Sequence, residues 1–190
     1  IGHVPYYFTL WKTLLLLNIF SVELCSAQET PENDLCENAI PLTIGDSIAS
    51  STIGGSTDEL QVDLVRCAED GTFDRGTPGV WFLLEGTGAR VQLSTCAEET
   101  NFGSRITVFS GDDCNGRACM TSTKTPEPNC PFTNSSSLEL DTFEGTNYYI
   151  LVHDQVSADS GTFGLSITDR TEPPENDSCD TAVELVVDSV

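Results

Sequence analysis

The sequence predicts an all-β fold: a disulfide-stapled β-sandwich of about eight or nine short strands, preceded by a signal peptide. Three observations carry this reading. Apolar residues recur at every second position in short runs, the period of a strand with one buried face. Polar turns bearing Gly, Asn, Asp or Pro separate the runs, and no stretch of the domain has the 3.6-residue period of an amphipathic helix. Of the eight cysteines, six (Cys36, Cys67, Cys96, Cys114, Cys119, Cys130) fall inside one domain-sized stretch, an even number suited to cross-linking.

Taken in order, Ala39 to Ile44 and Ile48 to Ile53 read as two strands joined by Gly45-Asp46. A polar, acidic loop bearing Cys67 runs from Gly54 to Gly79. Val80, Trp81, Phe82, Leu83 and Leu84 form an apolar run closed by Gly86-Thr87-Gly88, too short for a helix and expected as a buried strand. Ala89, Val91, Leu93 and Thr95 alternate with Arg90, Gln92 and Ser94 up to Cys96; Ile106 and Val108 repeat the pattern, with Arg105 and Thr107 on the opposite face. Ser110 to Asp113 ends that strand. In Cys114-Asn115-Gly116-Arg117-Ala118-Cys119 the Asn-Gly pair predicts a tight type I′ hairpin, across which a disulfide would close a very small loop. The proline-rich segment from Pro126 to Pro131 is a loop pinned by Cys130, after which Leu138 and Leu140, then Tyr148, Ile150 and Val152, then Phe163, Leu165 and Ile167 give three more strands.

The two ends carry different signals. Residues 1–27 read as a secretory signal peptide with an incomplete beginning: the first residue is Ile1, Lys12 precedes the apolar run Leu14 to Leu17, and Cys25-Ser26-Ala27 offers small residues at the cut. The apolar core, broken by Asn18 and Ser21, is shorter than the roughly 20 residues a membrane span needs. The phrase Pro31-Glu32-Asn33-Asp34-Leu35-Cys36 returns 143 residues later as Pro174-Glu175-Asn176-Asp177-Ser178-Cys179. That offset is too long for a solenoid repeat of about 20 to 50 residues, so it marks a tandem array of whole domains. Residues 31–170 are then one module, and 171–190 the linker and truncated start of a second copy.

Eight Lys and Arg against 30 Asp and Glu give a formal charge of −22. Such a chain is repelled by nucleic-acid phosphate and by anionic membrane surfaces. Without a Cys-x-x-Cys pair, and with His3 and His153 the only histidines, a zinc site has few ligands to draw on. An oxidised, extracellular or cell-surface framework is the better account, with fifteen pairings of the six cysteines open.

Several features together resemble a known family. They are the opening Pro, Asn-Asp and Cys, the strand around Val80-Trp81-Phe82, Leu93-Ser94-Thr95-Cys96, Ile106-Thr107-Val108-Phe109 with Gly111 before Cys114, and Tyr148-Tyr149-Ile150 with Gly161-Thr162-Phe163. They resemble the bacterial pre-peptidase C-terminal (PPC) type of β-sandwich module and its cysteine-bearing relatives in tandemly repeated secreted proteins. The resemblance spans about residues 31–168 and implies a jelly-roll-like sandwich serving as a non-catalytic appendage for targeting, adhesion or secretion. Phe102-Gly103-Ser104 departs from the family's frequent aspartate in the mid-domain loop. By this analogy and by order along the chain, the expected disulfides are Cys36–Cys67, Cys96–Cys130 and Cys114–Cys119.

Candidate chemistry is sparse. Gly45-Asp46-Ser47 is similar to the nucleophile block of GDS-type hydrolases, but the histidine-bearing motif such a serine needs is absent. His153-Asp154 has no nucleophile motif beside it and reads as an exposed strand-end pair. Loop carboxylates, foremost Asp112 and Asp113, are a candidate calcium site, calcium being the one cofactor the sequence allows for, although no ordered ligand spacing is present. Trp81 reads as core. Tyr148 and Tyr149 alternate faces, so one of them is expected outside the sandwich as a ligand contact. Asn134 and Asn176 satisfy the glycosylation sequon, Asn134 in the more polar loop. The resulting expectation is a secreted, non-catalytic binding, adhesion or scaffolding module that meets an extracellular glycan or protein surface. The alternatives are an accessory targeting module of a larger secreted hydrolase and a carbohydrate-binding module.

Overall fold

The computed structural model describes Gly2 and residues 29–57, 67, 77–125, 130, 135–155 and 159–171. The signal peptide expected at 1–27 (Gly2 apart), Asn134, Asn176 and the repeated phrase from Pro174 lie outside the described residues. Within them the chain forms nine strands and a single turn of 3-10 helix at Cys36–Asn38. The strands are β1 (Ile40–Leu42), β2 (Ser47–Ser51), β3 (Gly79–Glu85), β4 (Arg90–Ser94), β5 (Ser104–Ser110), β6 (Ala118–Thr123), β7 (Ser137–Asp141), β8 (Asn147–Asp154) and β9 (Thr162–Asp169). They build a five-stranded sheet, β1-β3-β8-β5-β6, and a four-stranded sheet, β2-β9-β4-β7. No described helix is long and apolar enough to cross a membrane.

The two strands expected on either side of Gly45-Asp46 do not pair with each other. β1 pairs in parallel with β3, whereas β2 pairs antiparallel with β9 in the other sheet. β1 is an edge strand, which is why Pro41 is tolerated in it despite lacking an N–H. The turn between them, with Gly45 at φ +100°, hands the chain from one sheet to the other. Asp46 secures that turn, its carboxylate accepting from the Thr43 backbone N–H at 2.7 Å.

The inner faces supply the main core. Val80, Phe82 and Leu84 on β3, Ile106 and Val108 on β5, and Tyr148, Ile150 and Val152 on β8 meet Val91, Leu93, Leu138, Leu140, Phe163, Leu165 and Ile167 of the smaller sheet. Aromatic rings pack edge-on across the gap, Phe82 on Phe163 at 6.2 Å and Phe102 on Phe163 at 6.1 Å between centroids. Phe102 and Ser104, where the sequence departs from the PPC pattern, are thus structural: Ser104 is buried, its hydroxyl 2.6 Å from that of Thr95.

Successive strands run alternately up and down, so loops gather at two poles. The chain arrives at the proximal pole, where Asn33 and Asp34 seat: the Asn33 side chain donates to the Trp81 carbonyl at 2.8 Å, the Trp81 N–H donates to the Asn33 carbonyl at 2.8 Å, and Asp34 accepts from the Ser56 N–H. With nine strands, an odd number, β9 ends at the distal pole. There Arg170 donates its N–H to the Arg90 carbonyl at 2.7 Å.

The disulfides require a correction. Cys36 is bonded to Cys114 and Cys67 to Cys119, so neither Cys36–Cys67 nor Cys114–Cys119 forms; Cys96 is bonded to Cys130. Two facts of position decide this. Cys119 lies on β6 directly opposite Phe109, while Cys114 sits in the preceding loop, where its α-carbon is 5.9 Å from that of Cys36. The turn between them is not type I′ either, because Gly116 is not among the glycines with positive φ. Instead the Asp113 carboxylate accepts from the Asn115 and Gly116 N–H groups, both at 2.8 Å.

Candidate functional site

Two places on the module bring side chains together in ways that bear on function: the outer face of the five-stranded sheet and a cleft at the distal pole. The outer face is read from the strand register, since directly opposed residues share a face. One row across it is Leu83, Tyr149, Phe109 and Cys119; the next is Trp81, Leu151, Thr107 and Ser122; the third is Gly79, His153 and Arg105. The first two rows hold a second, smaller core in which Trp81, Phe109, Tyr149 and Leu151 pack with Cys36, Cys67, Cys114 and Cys119. The two disulfides fasten other segments onto this face, Cys36 bringing the 3-10 turn. Arg117 lies over it, 4.9 Å from the Trp81 ring and 5.5 Å from the Phe109 ring, and donates to the Cys114 carbonyl.

Beyond these apolar rows lies a buried polar chain. His153 Nδ1 is 3.3 Å from the Thr77 hydroxyl and its Nε2 is 2.9 Å from the Thr107 hydroxyl, which is 2.8 Å from that of Ser122. His153 is only 4% exposed, which corrects the expectation of a solvated strand-end histidine. Burial, and secondarily the positive charge of Arg105, holds its pKa at about 3. The ring is therefore neutral at physiological pH, with one nitrogen donating and the other accepting. An imidazole this far below neutrality is a poor general base, and the Thr107 hydroxyl it touches is fully buried. The chain of hydroxyls and imidazole acts as a latch between β5, β6, β8 and the segment at Thr77.

The distal-pole cleft is built by three loops, β1–β2, β3–β4 and β7–β8. It has a volume of about 710 Å³ and is lined by Leu42, Ile44 and Leu84 at its apolar floor and by Thr87, Glu85 and Glu144 at its rim. Gly88 and Gly145 turn their loops at φ +83° and +73°, conformations that disfavour L side chains. Two backbone bonds lace the loops together, from the Gly145 N–H to the Gly86 carbonyl at 2.9 Å and from the Gly86 N–H to the Thr146 carbonyl at 2.8 Å. Beside the cleft stands Phe143, 67% exposed, its N–H bonded to the Tyr148 hydroxyl at 2.9 Å.

The residues singled out from sequence fare differently. Tyr148 and Tyr149 do lie on opposite faces, but both are buried, Tyr149 because the disulfide-bonded segments cover the outer face; neither is an exposed ligand contact. Trp81 is core, as expected. Asp112 and Asp113 are exposed, and Asp113 is occupied by its own turn. Among the described residues no three His, Cys, Asp or Glu converge as a metal would require. Ser47 of the Gly45-Asp46-Ser47 block is an exposed edge-strand residue at the distal pole, while His153 lies at the other end of the five-stranded sheet. The cleft and Phe143 were not foreseen; the signal available was a large apolar residue inside the turn Thr142-Phe143-Glu144-Gly145.

No protein-family model matches the chain, and neither does any curated protein. Among solved structures, this two-sheet fold is similar to the pre-peptidase C-terminal domain of a collagenase from Bacillus anthracis, with a TM-score of 0.41 and 14% identity over 68% of this chain and 94% of that one. It is also similar to PliG of Aeromonas hydrophila, a periplasmic inhibitor of g-type lysozyme, with a TM-score of 0.39 and 7% identity over 70% of this chain and 99% of that one. The first is the kind of domain that the sequence resembles.

Proposed function

We propose that the chain is a secreted, non-catalytic binding or scaffolding module, repeated in tandem along a longer extracellular protein. The observation that supports this most is the structural work done by the repeated phrase. Asn33 docks on the backbone of Trp81, Asp34 holds the Ser56 N–H, and Cys36 is bonded to Cys114. Each of these three residues has its counterpart, Asn176, Asp177 and Cys179, where the phrase returns. A phrase whose polar residues are spent on seating a strand is a module opening, and its recurrence supports a second module of the same design.

Three disulfides support an oxidising compartment. The charge of −22 favours solubility outside the cell and argues for a partner other than nucleic acid. The same alignment bears on glycosylation. Asn33 is buried and its side-chain nitrogen is engaged, so the matching Asn176 is a poor acceptor in a folded copy, and the glycan belongs on Asn134.

The test is to sequence the transcript through both ends of this stretch and to map glycopeptides of the secreted product. Further copies opening Pro-Glu-Asn-Asp-x-Cys, with sugar on Asn134, are the expected result. A continuation into a domain with a complete catalytic constellation would replace this reading with that of a hydrolase appendage.

A further inference from the structure

Nine alternating strands place the start and finish of the module at opposite poles. The finish is held firmly. Arg170 donates its N–H to the Arg90 carbonyl at 2.7 Å and its Nε to the Gln92 side chain at 3.0 Å; the Arg90 N–H reaches the Thr171 hydroxyl at 3.2 Å. Thr171 is thereby fixed on the distal pole, at the same Ala89–Arg90 peptide whose carbonyl accepts the Thr142 N–H at 2.9 Å, next to the loop that carries Phe143. The chain therefore leaves the module beside its apolar cleft and its exposed phenyl ring. The linker that follows, Thr171-Glu172-Pro173-Pro174, is short and proline-stiffened. At about 3.1 Å per residue in its extended form, it spans roughly 12 Å.

We infer that the distal pole is an interface whose occupant is the next module of the same chain. The proximal pole of that module seats on Phe143 and the cleft floored by Leu42, Ile44 and Leu84, so that successive copies stack end to end as a stiffened rod instead of swinging on a free hinge. The inference rests on the tandem reading above. Two features argue for this occupant over an outside partner. The tether is too short to carry a module opening at Pro174 clear of the pole, and the exposed ring lies beside the point of departure, not on the open faces of the sheets. Phe143 is also one of only three large apolar side chains exposed among the described residues, the others being Leu35 and Met120, which lie elsewhere on the module.

The test uses the secreted protein expressed from its transcript through the end of the second copy. Trypsin cleavage after Arg170 reports whether the junction is covered. Phe143→Ser is expected to speed that cleavage about tenfold, because cleavage tracks the population of the open junction. Thr87→Glu, which crowds and charges the rim of the cleft without adding a trypsin site, is expected to act in the same direction. Both positions are exposed, so the modules stay folded, with unchanged thermal midpoints, and X-ray scattering of either variant should show loss of the rod-like distance distribution. Cleavage rates and scattering identical to wild type in both variants would overturn the stacked junction while leaving the tandem array standing. A transcript without a second copy would remove the array itself, before any variant is made.

Discussion

The two faces of the five-stranded sheet are both buried, and they are buried by different means. The inner face is apolar and packs against a second sheet, so its stability comes from removing carbon from water over a large continuous area. Among the described residues no sheet covers the outer face. It keeps only a small aromatic cluster, held beneath two disulfides and an arginine, with a polar latch at one end. The lesson is that a strand can be buried on both sides in a two-layer domain when cross-links bring loop segments over the second side. β8 shows this most directly: every residue from Tyr148 to Asp154 is buried, although only alternate ones face the main core.

The comparison can be broken most decisively at the cross-links. Cys36→Ser with Cys114→Ser opens a loop with a sequence separation of 78 residues. The chain-entropy treatment puts the loss at roughly 4 to 5 kcal/mol. Trp81 is the sole tryptophan beyond residue 27 and sits on the outer face, so in a protein starting at Gln28 its fluorescence reports that face alone. In a urea titration followed by both fluorescence and far-ultraviolet circular dichroism, the double variant should lose the Trp81 signal before the β signal. Coincident transitions would mean that the two faces form one cooperative unit.

A smaller contrast separates Phe82→Ala from Leu151→Ala. Both side chains are fully buried, the first between the sheets and the second outside them. Large-to-small changes in a core that cannot collapse fall at the upper end of the range, about 4 to 5 kcal/mol for Phe82, and nearer 2 to 3 kcal/mol where a loop-covered site can close, as at Leu151. Equal losses in equilibrium unfolding would erase the distinction between the faces.

The latch gives the outer face a pH dependence that the inner face lacks. The pKa of His153 is about 3 in the folded state against about 6.5 when unfolded, so below pH 6.5 the unfolded chain takes up a proton that the folded one refuses. Stability should therefore fall as the pH drops from about 6.5 toward 3, by about 1.4 kcal/mol per unit once the unfolded imidazole is charged. Between pH 6.5 and 5, above the range of ordinary carboxylates, His153→Gln should flatten the slope of unfolding free energy against pH. A slope unchanged by the substitution would place its origin elsewhere. The smallest effect is expected at Arg117, whose stacking on Trp81 and Phe109 is worth about 1 kcal/mol; Arg117→Met, which keeps the stem and removes the charge, measures it.

Much of the fold was legible because β-strands announce themselves locally. The alternation in Ile106-Thr107-Val108, Leu138-Glu139-Leu140 and Phe163-Gly164-Leu165 places one face of each strand toward carbon, whatever the partner. The site was less legible. Thr107, Arg105 and His153 look like the wet half of that same alternation, and nothing in their spacing says that they will be buried. Tyr149 was misplaced for the same reason. Phe143, conversely, reads as an apolar residue that should hide, and it stands exposed because its loop is held at the pole by Tyr148 and by the bonds between Gly86 and the Gly145–Thr146 segment.

The sequence by itself determined the all-β class, the positions of every strand but β6 (Ala118–Thr123), the number of cross-linkable cysteines and the phrase that opens the module. All of these depend on residues close together in the chain: period-two burial, turn chemistry and short motifs. Only the tertiary structure decided which strand lies beside which, and with that which cysteines meet. Cys114 and Cys119 are five residues apart, yet they bond to partners 78 and 52 residues away, because the loop between β5 and β6 turns one toward the chain's start and leaves the other on the sheet. Pairing follows distance in space, and in a sandwich whose neighbouring strands are seldom consecutive, distance along the chain is a poor guide to it.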